Sequence, residues 1–485
     1  MDKRFSCQMA REKPALVANV HWHVFCYATC MKISPILLFA LAAACAHGGA
    51  YDKYQDWQLQ PTTVHDTNAA DNVRLQTDFT KPLHGPWLMN PSYTSMSVNW
   101  ITRLNCAAGI EYREKGTEPY TRVWQASYGL PAFLSDTHLF HLSGLKPATE
   151  YEYRLLSALG TYDSPYPGTV VGRETYTFKT LDPDLPSYRV FVTSDVHGSF
   201  RLSLDPMYER SGAANCCLFF LLGDNVEDSM VRARYYVTFG YLDDICRLWG
   251  ASRPTAFLRG NHDCWGREAT AWGDYFGRPD NRGYYSIAQG PALFILFDPA
   301  RDRTRSEAAA EVTEAYMREQ LAWLQALKKT PEWRKAKFRI GMCHYGTRMG
   351  GADYSWFARY FLDALNDPSP DGRIHLFLAG HEHHYVRNDP HSRALSRLQP
   401  YRSKTPMTAE ETEARARKYY TAFTTNDFNF CEVSCHTGEA MTIDVSEQKL
   451  SVRSVDWRNP AGTSLHDAFE IAPDGTVTEL PIAAQ

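Results

Sequence analysis

The chain has 485 residues, with 51 Lys and Arg set against 55 Asp and Glu, for a formal net charge of -4. Hydrophobic residues at 44 % and aromatics at 13 % supply cores for two or three ordinary domains and exclude a fibrous or disordered chain. The near balance of charge also excludes an overall field that would draw nucleic acid or an anionic membrane surface, so an anionic substrate must be attracted locally.

Residues 1–50 read as a targeting region. From Met31, Lys32 leads into an apolar stretch over 36–44, and Ala44-Cys45-Ala46 follows as a small-residue cleavage pattern. Such a series is an export signal, placed here over 31–46. The apolar stretch falls short of the roughly 20 residues that span a bilayer, so no permanent transmembrane helix is expected. Residues 1–30 hold His21, His23, Cys26 and Cys30 without periodicity and precede Met31, which reads as the genuine start. Residues 41–45 loosely resemble a lipoprotein cleavage site, with Ala42 where Leu is usual, which leaves a lipid anchor at Cys45 open. The expectation is a periplasmic or extracellular protein, lipid-anchored or free.

Export bears on the cysteines. Of twelve, eight lie beyond the signal, and Cys431 and Cys435 are the closest candidates for a bridge. Cys216, Cys217 and Cys343 sit in apolar runs, where a buried free thiol is favoured. No CxxC pair is present, so no zinc cluster of cysteines is expected.

Residues 82–181 carry an all-β pattern. Ser95-Met96-Ser97-Val98-Asn99-Trp100 and Glu150-Tyr151-Glu152-Tyr153-Arg154-Leu155 alternate polar and apolar, with Gly or Pro between such runs. Residues 145–151 resemble the corner of a fibronectin type III sandwich, where a tyrosine bonds back to the backbone, and Trp100 falls where such domains bury a tryptophan. This sandwich is read as support or surface, not as chemistry.

From residue 187 the texture changes. The segments 188–193, 216–222, 255–258, 293–297, 339–343 and 374–379 are short apolar runs, several separated by helical spacing as in 231–249 and 307–329. This predicts strands covered on both faces by helices, in a domain over 187–475. Five of the six runs are followed at once by a polar block: Asp195-Val196-His197, Gly223-Asp224-Asn225, Gly260-Asn261-His262-Asp263, His344, and Gly380-His381-Glu382-His383. Since sites in open α/β sheets form at the carboxyl ends of strands, all five blocks should meet at one edge.

The residue types suit two cations. Carboxylate oxygen and imidazole nitrogen are both offered, and a carboxylate can bridge two ions. Asp195, His197, Asp224 and His383 are assigned to the first ion. Asp224, Asn261, His344 and His381 are assigned to the second. His262 remains and is assigned to catalysis, with Asp263 beside it to hold its tautomer or its charged form. Asn261 and His262 would touch substrate. Two cations about 4 Å apart would activate a shared water towards phosphorus and neutralise the developing charge.

The ordered series DxH, GDN, GNHD, H and GHxH resembles the calcineurin-like metallophosphoesterase superfamily, and the sandwich ahead of it resembles the amino-terminal domain of purple acid phosphatases. The resemblance spans Ser95 to His383, and residues 428–445 and 467–471 look like the closing strands of such enzymes. It implies a multidomain chain: a fibronectin III-like β-sandwich followed by a four-layer α/β/β/α catalytic sandwich, with two divalent or trivalent ions of iron, manganese or zinc, and hydrolysis of phosphoric esters. One departure is visible. Where purple acid phosphatases have DxG and GDxxY, this chain has His197 and Glu227, so the resemblance points to the general metallophosphoesterase type without the ferric-binding tyrosine.

Lesser features have plain readings. His384 and Tyr385 read as packing or outer-shell groups, His375 as a satisfied interior histidine, and Arg348, Asp353 and Tyr354 as part of a flexible loop able to touch substrate. The segment 393–418 mixes basic residues with Glu410, Glu411 and Glu413, and so reads as an exposed insertion, not a nucleic-acid groove. Three functions fit: an exported acid phosphatase-like phosphomonoesterase acting on a small phosphorylated substrate, which is the reading adopted, a phosphodiesterase acting on nucleotide, glycerol or lipid diesters, or a surface binding protein that keeps the fold as scaffold.

Overall fold

The computed structural model describes residues 82–482 except residues 104 and 173, the segments 159–169, 198–202, 226–240, 266–268, 301–305, 348–351, 393–395, 436–438 and 458–463, and, between 400 and 427, all but residues 410 and 414. The export signal, Cys45, Glu227, Arg348 and nearly all of 393–418 thus lie outside the described residues. Among the described residues no helix is long and apolar enough to cross a membrane.

The amino-terminal part is a two-sheet sandwich. Pro82–Met89, Ser95–Thr102 and Thr137–Ser143 form one antiparallel sheet. Tyr176–Lys179, Glu150–Ala158, Ala107–Glu114 and Thr121–Trp124 form the other, with Val170–Val171 paired to Glu150–Ala158. Between the sheets Met96, Val98 and Trp100 meet Ile110, Tyr153 and Phe178 in one core. At the expected corner, Lys146 N donates to Tyr151 Oη at 2.9 Å, so the tyrosine does fold back onto the backbone. The polar partners in the alternating strand are not turned to water. Ser97 and Asn99 are buried, because the second face of Ser95–Thr102 packs on the following domain. There Trp87 and Ile101 join a core with Phe219, Trp249 and Phe276.

Beyond the sandwich lie two seven-stranded sheets. We number their strands β1 (Ser187–Thr193), β2 (Leu218–Leu221), β3 (Thr255–Phe257), β4 (Tyr285–Gln289), β5 (Ala292–Leu296), β6 (Phe338–Met342), β7 (Leu376–Ala379), β8 (Tyr385–Asn388), β9 (Arg397–Gln399), β10 (Cys431–Ser434), β11 (Glu439–Ser446), β12 (Leu450–Asp456), β13 (Ser464–Ile471) and β14 (Val477–Glu479). The first sheet runs β3-β2-β1-β11-β12-β13-β14 and the second β4-β5-β6-β7-β10-β8-β9. β1, β2 and β3 are mutually parallel, as are β5, β6, β7 and β10.

Alternation along each strand builds the layers. Val190, Val192 and Phe220 of the first sheet face Phe294, Leu296, Ile340 and Met342 of the second in a shared core. Their neighbours point outward: Phe191 and Phe219 meet Trp249, while Ile295 and Phe377 meet Leu324 and Phe361. This is an α/β/β/α arrangement. The apolar runs are buried on both faces as their composition predicts, but helices cover only one face of each sheet and the partner sheet covers the other. A continuous apolar run cannot distinguish those two covers.

Two helical expectations and one loop expectation have separate outcomes. Glu307–Leu327 forms as expected, with Ser306 Oγ accepting from Ala309 N at its start. Of 231–249 the described part is Tyr241–Ile245, continued by a wider turn over Cys246–Gly250. Asp353 and Tyr354, expected in a loop, open the helix Ala352–Leu365, whose Phe357 and Phe361 pack against the second sheet.

The cysteine expectation is also corrected. Cys431 and Cys435 are both free and buried. Four residues apart along and just beyond extended β10, their Cα atoms are separated by roughly 13 Å, about twice what a disulfide spans.

Candidate metal centre

All five polar blocks leave the carboxyl ends of parallel strands: β1, β2 and β3 in one sheet, β6 and β7 in the other. Glycines let the blocks approach. A Cβ on Gly223 would strike Gly260, one on Gly260 would strike the Asp224 carboxylate, and one on Gly380 would strike Ser194 and Asp195. Backbone bonds then tie the turns together: Asp195 N donates to Gly223 O at 3.1 Å and His197 N to Asp224 O at 2.9 Å. Asp195, His197, Asp224, His381 and His383 all adopt positive φ, between 50° and 74°. Each such non-glycine residue costs on the order of 1 kcal/mol, a strain that clusters where side chains must be aimed.

The side chains converge as two groups sharing one carboxylate. Asp195, His197, Asp224 and His383 offer ligand atoms that lie together, and so do Asp224, His344 and His381. His383 Nε2 is 3.2 Å from Asp195 Oδ1, and His344 Nε2 is 3.2 Å from Asp224 Oδ2. Asn261 Oδ1 joins the second group at 3.1 Å from His344 Nε2. The seven residues assigned from sequence to the two ions are thus brought together in space.

The donor chemistry fits cations. Two carboxylates, Asp195 and Asp224, are 0 % and 1 % exposed, which demands compensating positive charge. His197 Nε2 and His383 Nε2 lie 3.0 Å apart, a separation two imidazole lone pairs tolerate only around a shared proton or cation. His344 Nδ1 donates to Leu222 O at 2.9 Å, which fixes the tautomer and leaves the Nε2 lone pair facing Asp224. Burial alone would raise Asp195, but bonded His383 and the other imidazoles hold its carboxyl well below the usual range. Burial would lower His344, yet Asp224 and Asp195 push it up to about 9. The buried carboxylates thus favour positive charge on this donor set, and divalent or trivalent ions on the same donors would supply it.

His262 stands beside the centre and is 25 % exposed, with Nε2 3.8 Å from Asp224 Oδ2. Its backbone N donates to Asp224 Oδ1 at 2.9 Å, so the bridge carboxylate also aims the His262 turn. The expected partnership with Asp263 is not found. Asp263 is fully buried and accepts from Gly260 N at 2.7 Å, Asn225 N at 3.2 Å and Asn225 Nδ2 at 3.1 Å, while among the described residues His262 Nδ1 has no hydrogen-bond partner. Asp263 thus clasps the GDN and GNHD turns instead of orienting the imidazole. Burial, then nearby Asp224, pushes its carboxyl up to about 7.

Sequence reasoning missed this clasp and two further supports. Arg259 pairs with buried Asp298 at 2.6 Å, joining the loop after β3 to the loop after β5. Thr347 N donates to Glu432 Oε1 at 2.8 Å, pinning the chain after His344. An isolated Asp298 or Glu432 carries no motif, and only the fold brings it to its partner. Tyr385 and His375 are interior groups as read: Tyr385 Oη donates to Asp467 at 2.7 Å, and His375 is bonded at both ring nitrogens.

A buried donor set sharing one carboxylate, on the carboxyl edge of an α/β/β/α sandwich, defines a metal-dependent hydrolase class. Residues 188–385 match the family model for calcineurin-like phosphoesterases, and that segment is the domain of a metal-dependent phosphoesterase. Among solved structures, that of PhoD aligns with a TM-score of 0.56 and 11 % identity, over 84 % of this chain and 93 % of that one. The purple acid phosphatase PPD1 from yellow lupin (Lupinus luteus) seeds aligns with a TM-score of 0.51 and 14 % identity, over 84 % of this chain and 78 % of that one. At such identities the likeness is one of fold. No curated relative matches the sequence.

Proposed function

We propose that the protein is an exported phosphomonoesterase acting on a small phosphorylated substrate. We also propose its division into a signal over 31–46, a fibronectin III-like sandwich over 82–181 and a catalytic domain over 187–475. The reading is carried by one observation: Asp224 belongs to both donor groups, so one carboxylate would hold two ions side by side. Asp195, His197, Asp224 and His383 would hold one, and Asp224, Asn261, His344 and His381 the other. Iron, manganese and zinc all suit such donors. Ions held there supply Lewis acidity to phosphoryl oxygens and acidify water.

The chain's own residues do the rest. Asn261 and His262, adjacent on one turn, orient the phosphoryl group. His262, partly exposed with Nε2 towards the centre, delivers a proton to the departing oxygen. The buried turns exclude water from the carboxylates, and the Leu222 carbonyl keeps the His344 imidazole in its ligating tautomer.

The test is turnover of p-nitrophenyl phosphate and bis-p-nitrophenyl phosphate with manganese, zinc or iron added. Faster turnover of the monoester supports the reading. Preference for the diester would make the protein a phosphodiesterase, and turnover of neither with any metal would leave a binding protein. Export is tested separately by the amino terminus of the mature chain: retention of residues 31–46 counts against it.

A further inference from the structure

On the same edge as the metal centre, a cavity of about 360 Å³ opens beside the loop after β3. Arg259 and Cys264, which flank Asn261 and His262 in sequence, form part of its wall, and Ala300, from the loop after β5, lines it as well. That volume falls in the range of small-molecule sites. Its lining combines Trp272, Phe276 and Tyr316 with the guanidinium-bearing Arg259, Arg278 and Arg282, and among the described residues it includes no Asp or Glu.

The three arginines are not equivalent. Arg259 is committed to buried Asp298. Arg282 pairs with Glu319 at 3.3 Å, with side chains 43 % and 53 % exposed, and such pairs give little stability. Arg278 lies with its guanidinium 4.1 Å from the Tyr285 ring centre and pairs with partly exposed Asp280. Arg282 and Arg278 can thus exchange exposed carboxylate partners for a ligand anion, in a wall that also includes the side chains of Trp272, Phe276 and Tyr316.

We infer that this cavity is a binding site for a planar aromatic group that carries negative charge. Such a group is either the leaving-group portion of the phosphoester or a separate aromatic anion. The binding step itself is independent of the phosphoesterase reading, on which only the first source rests. The wall is firmly held. From the sandwich, Trp87 Nε1 and Asn99 Nδ2 both donate to Tyr275 O, at 3.2 Å and 2.8 Å, and Asn90 Nδ2 donates to Gly277 O at 2.7 Å. These bonds satisfy carbonyls at the end of Trp272–Phe276, so the sandwich fixes one side of the cavity.

The probe is naphthalene-2-sulfonate, an aromatic anion without a phosphoryl group, titrated by calorimetry into the full-length metal-loaded protein. Two variants accompany it. A Cβ at Gly273 meets nothing closer than Asn281 Oδ1 at 3.8 Å, so Gly273→Leu can enter the helix and reduce the space. Arg282→Gln removes one charge. Saturable binding to the wild type, abolished in Gly273→Leu and weakened about tenfold in Arg282→Gln, is expected. Absence of saturable binding, or equal binding by wild type and Arg282→Gln, overturns the inference even if Gly273→Leu does not fold.

Turnover identifies the source. A sulfonate that competes with 2-naphthyl phosphate and leaves methyl phosphate hydrolysis untouched marks the leaving-group subsite. One that alters hydrolysis of both esters, independent of their concentration, marks a separate ligand. If neither ester is hydrolysed while the calorimetric pattern holds, the phosphoesterase reading fails and the cavity assignment stands.

Discussion

His344 and Asp224 meet across the two sheets: Nε2 of one lies 3.2 Å from Oδ2 of the other, although 120 residues separate them in sequence. Asp224 also accepts from His262 N and belongs to both donor groups. Asp224→Ala should therefore empty both positions together. Metal content measured by plasma emission should fall from two ions per chain to near zero. Activity should drop well beyond the about 100-fold typical of losing an outer-shell partner. Retention of one full equivalent of metal would show that the carboxylate does not bridge.

His262→Ala separates chemistry from metal binding. The bond from residue 262 to Asp224 comes from the backbone N, which alanine keeps, and the imidazole belongs to neither donor group. Metal content should stay at the wild-type level while kcat falls by about 10²–10⁴, the usual contribution of a positioned acid or base. Wild-type turnover in this variant would remove the imidazole from the reaction.

The convergence of these donor side chains was legible in the sequence because each follows a strand-like run at once, and such runs end at one edge. The glycines of GDN, GNHD and GHxH were equally readable, since each marks a place where two of these turns nearly touch. What supports the ligands was not. Asp263 reads as a partner of His262 by adjacency, but adjacency does not report where each side chain of a turn points, and this one bonds Gly260 and Asn225. Arg259–Asp298 and Thr347–Glu432 depend on loops from different strands meeting, which only the layered packing decides. The same holds for Asn99, which alternation assigns to water and which the second domain covers.

The clasp role of Asp263 has its own consequence. Its carboxylate accepts from Gly260 N, Asn225 N and Asn225 Nδ2, all buried. Asp263→Ala strands these donors, and with a cost of about 1–3 kcal/mol for each unsatisfied group the loss should reach on the order of 3 kcal/mol or more. Denaturant midpoints measure it, with the protein stripped of metal to isolate the fold. An unchanged midpoint together with lost activity would instead return Asp263 to a role exerted through His262.

His375 gives the fold a dependence on pH that lies away from the metal centre. Its Nδ1 accepts from Arg339 N at 3.1 Å and its Nε2 donates to Pro473 O at 3.0 Å, a pair of bonds that only the neutral ring can make. Burial foremost lowers its pKa to about 4, against about 6.5 in an unfolded chain. As pH falls below neutrality the unfolded chain takes up the proton first. The stabilisation is therefore complete above pH 6.5 and is lost on the way down to about 4, amounting to about 3 kcal/mol. His375→Gln can accept and donate at the same two carbonyl and amide partners without titrating. Between pH 6.5 and 4.5 the wild type should lose stability in urea more steeply than this variant. Parallel losses would mean that the ring is protonated as readily in the native protein as in the unfolded chain, which the amide proton pointing at Nδ1 opposes.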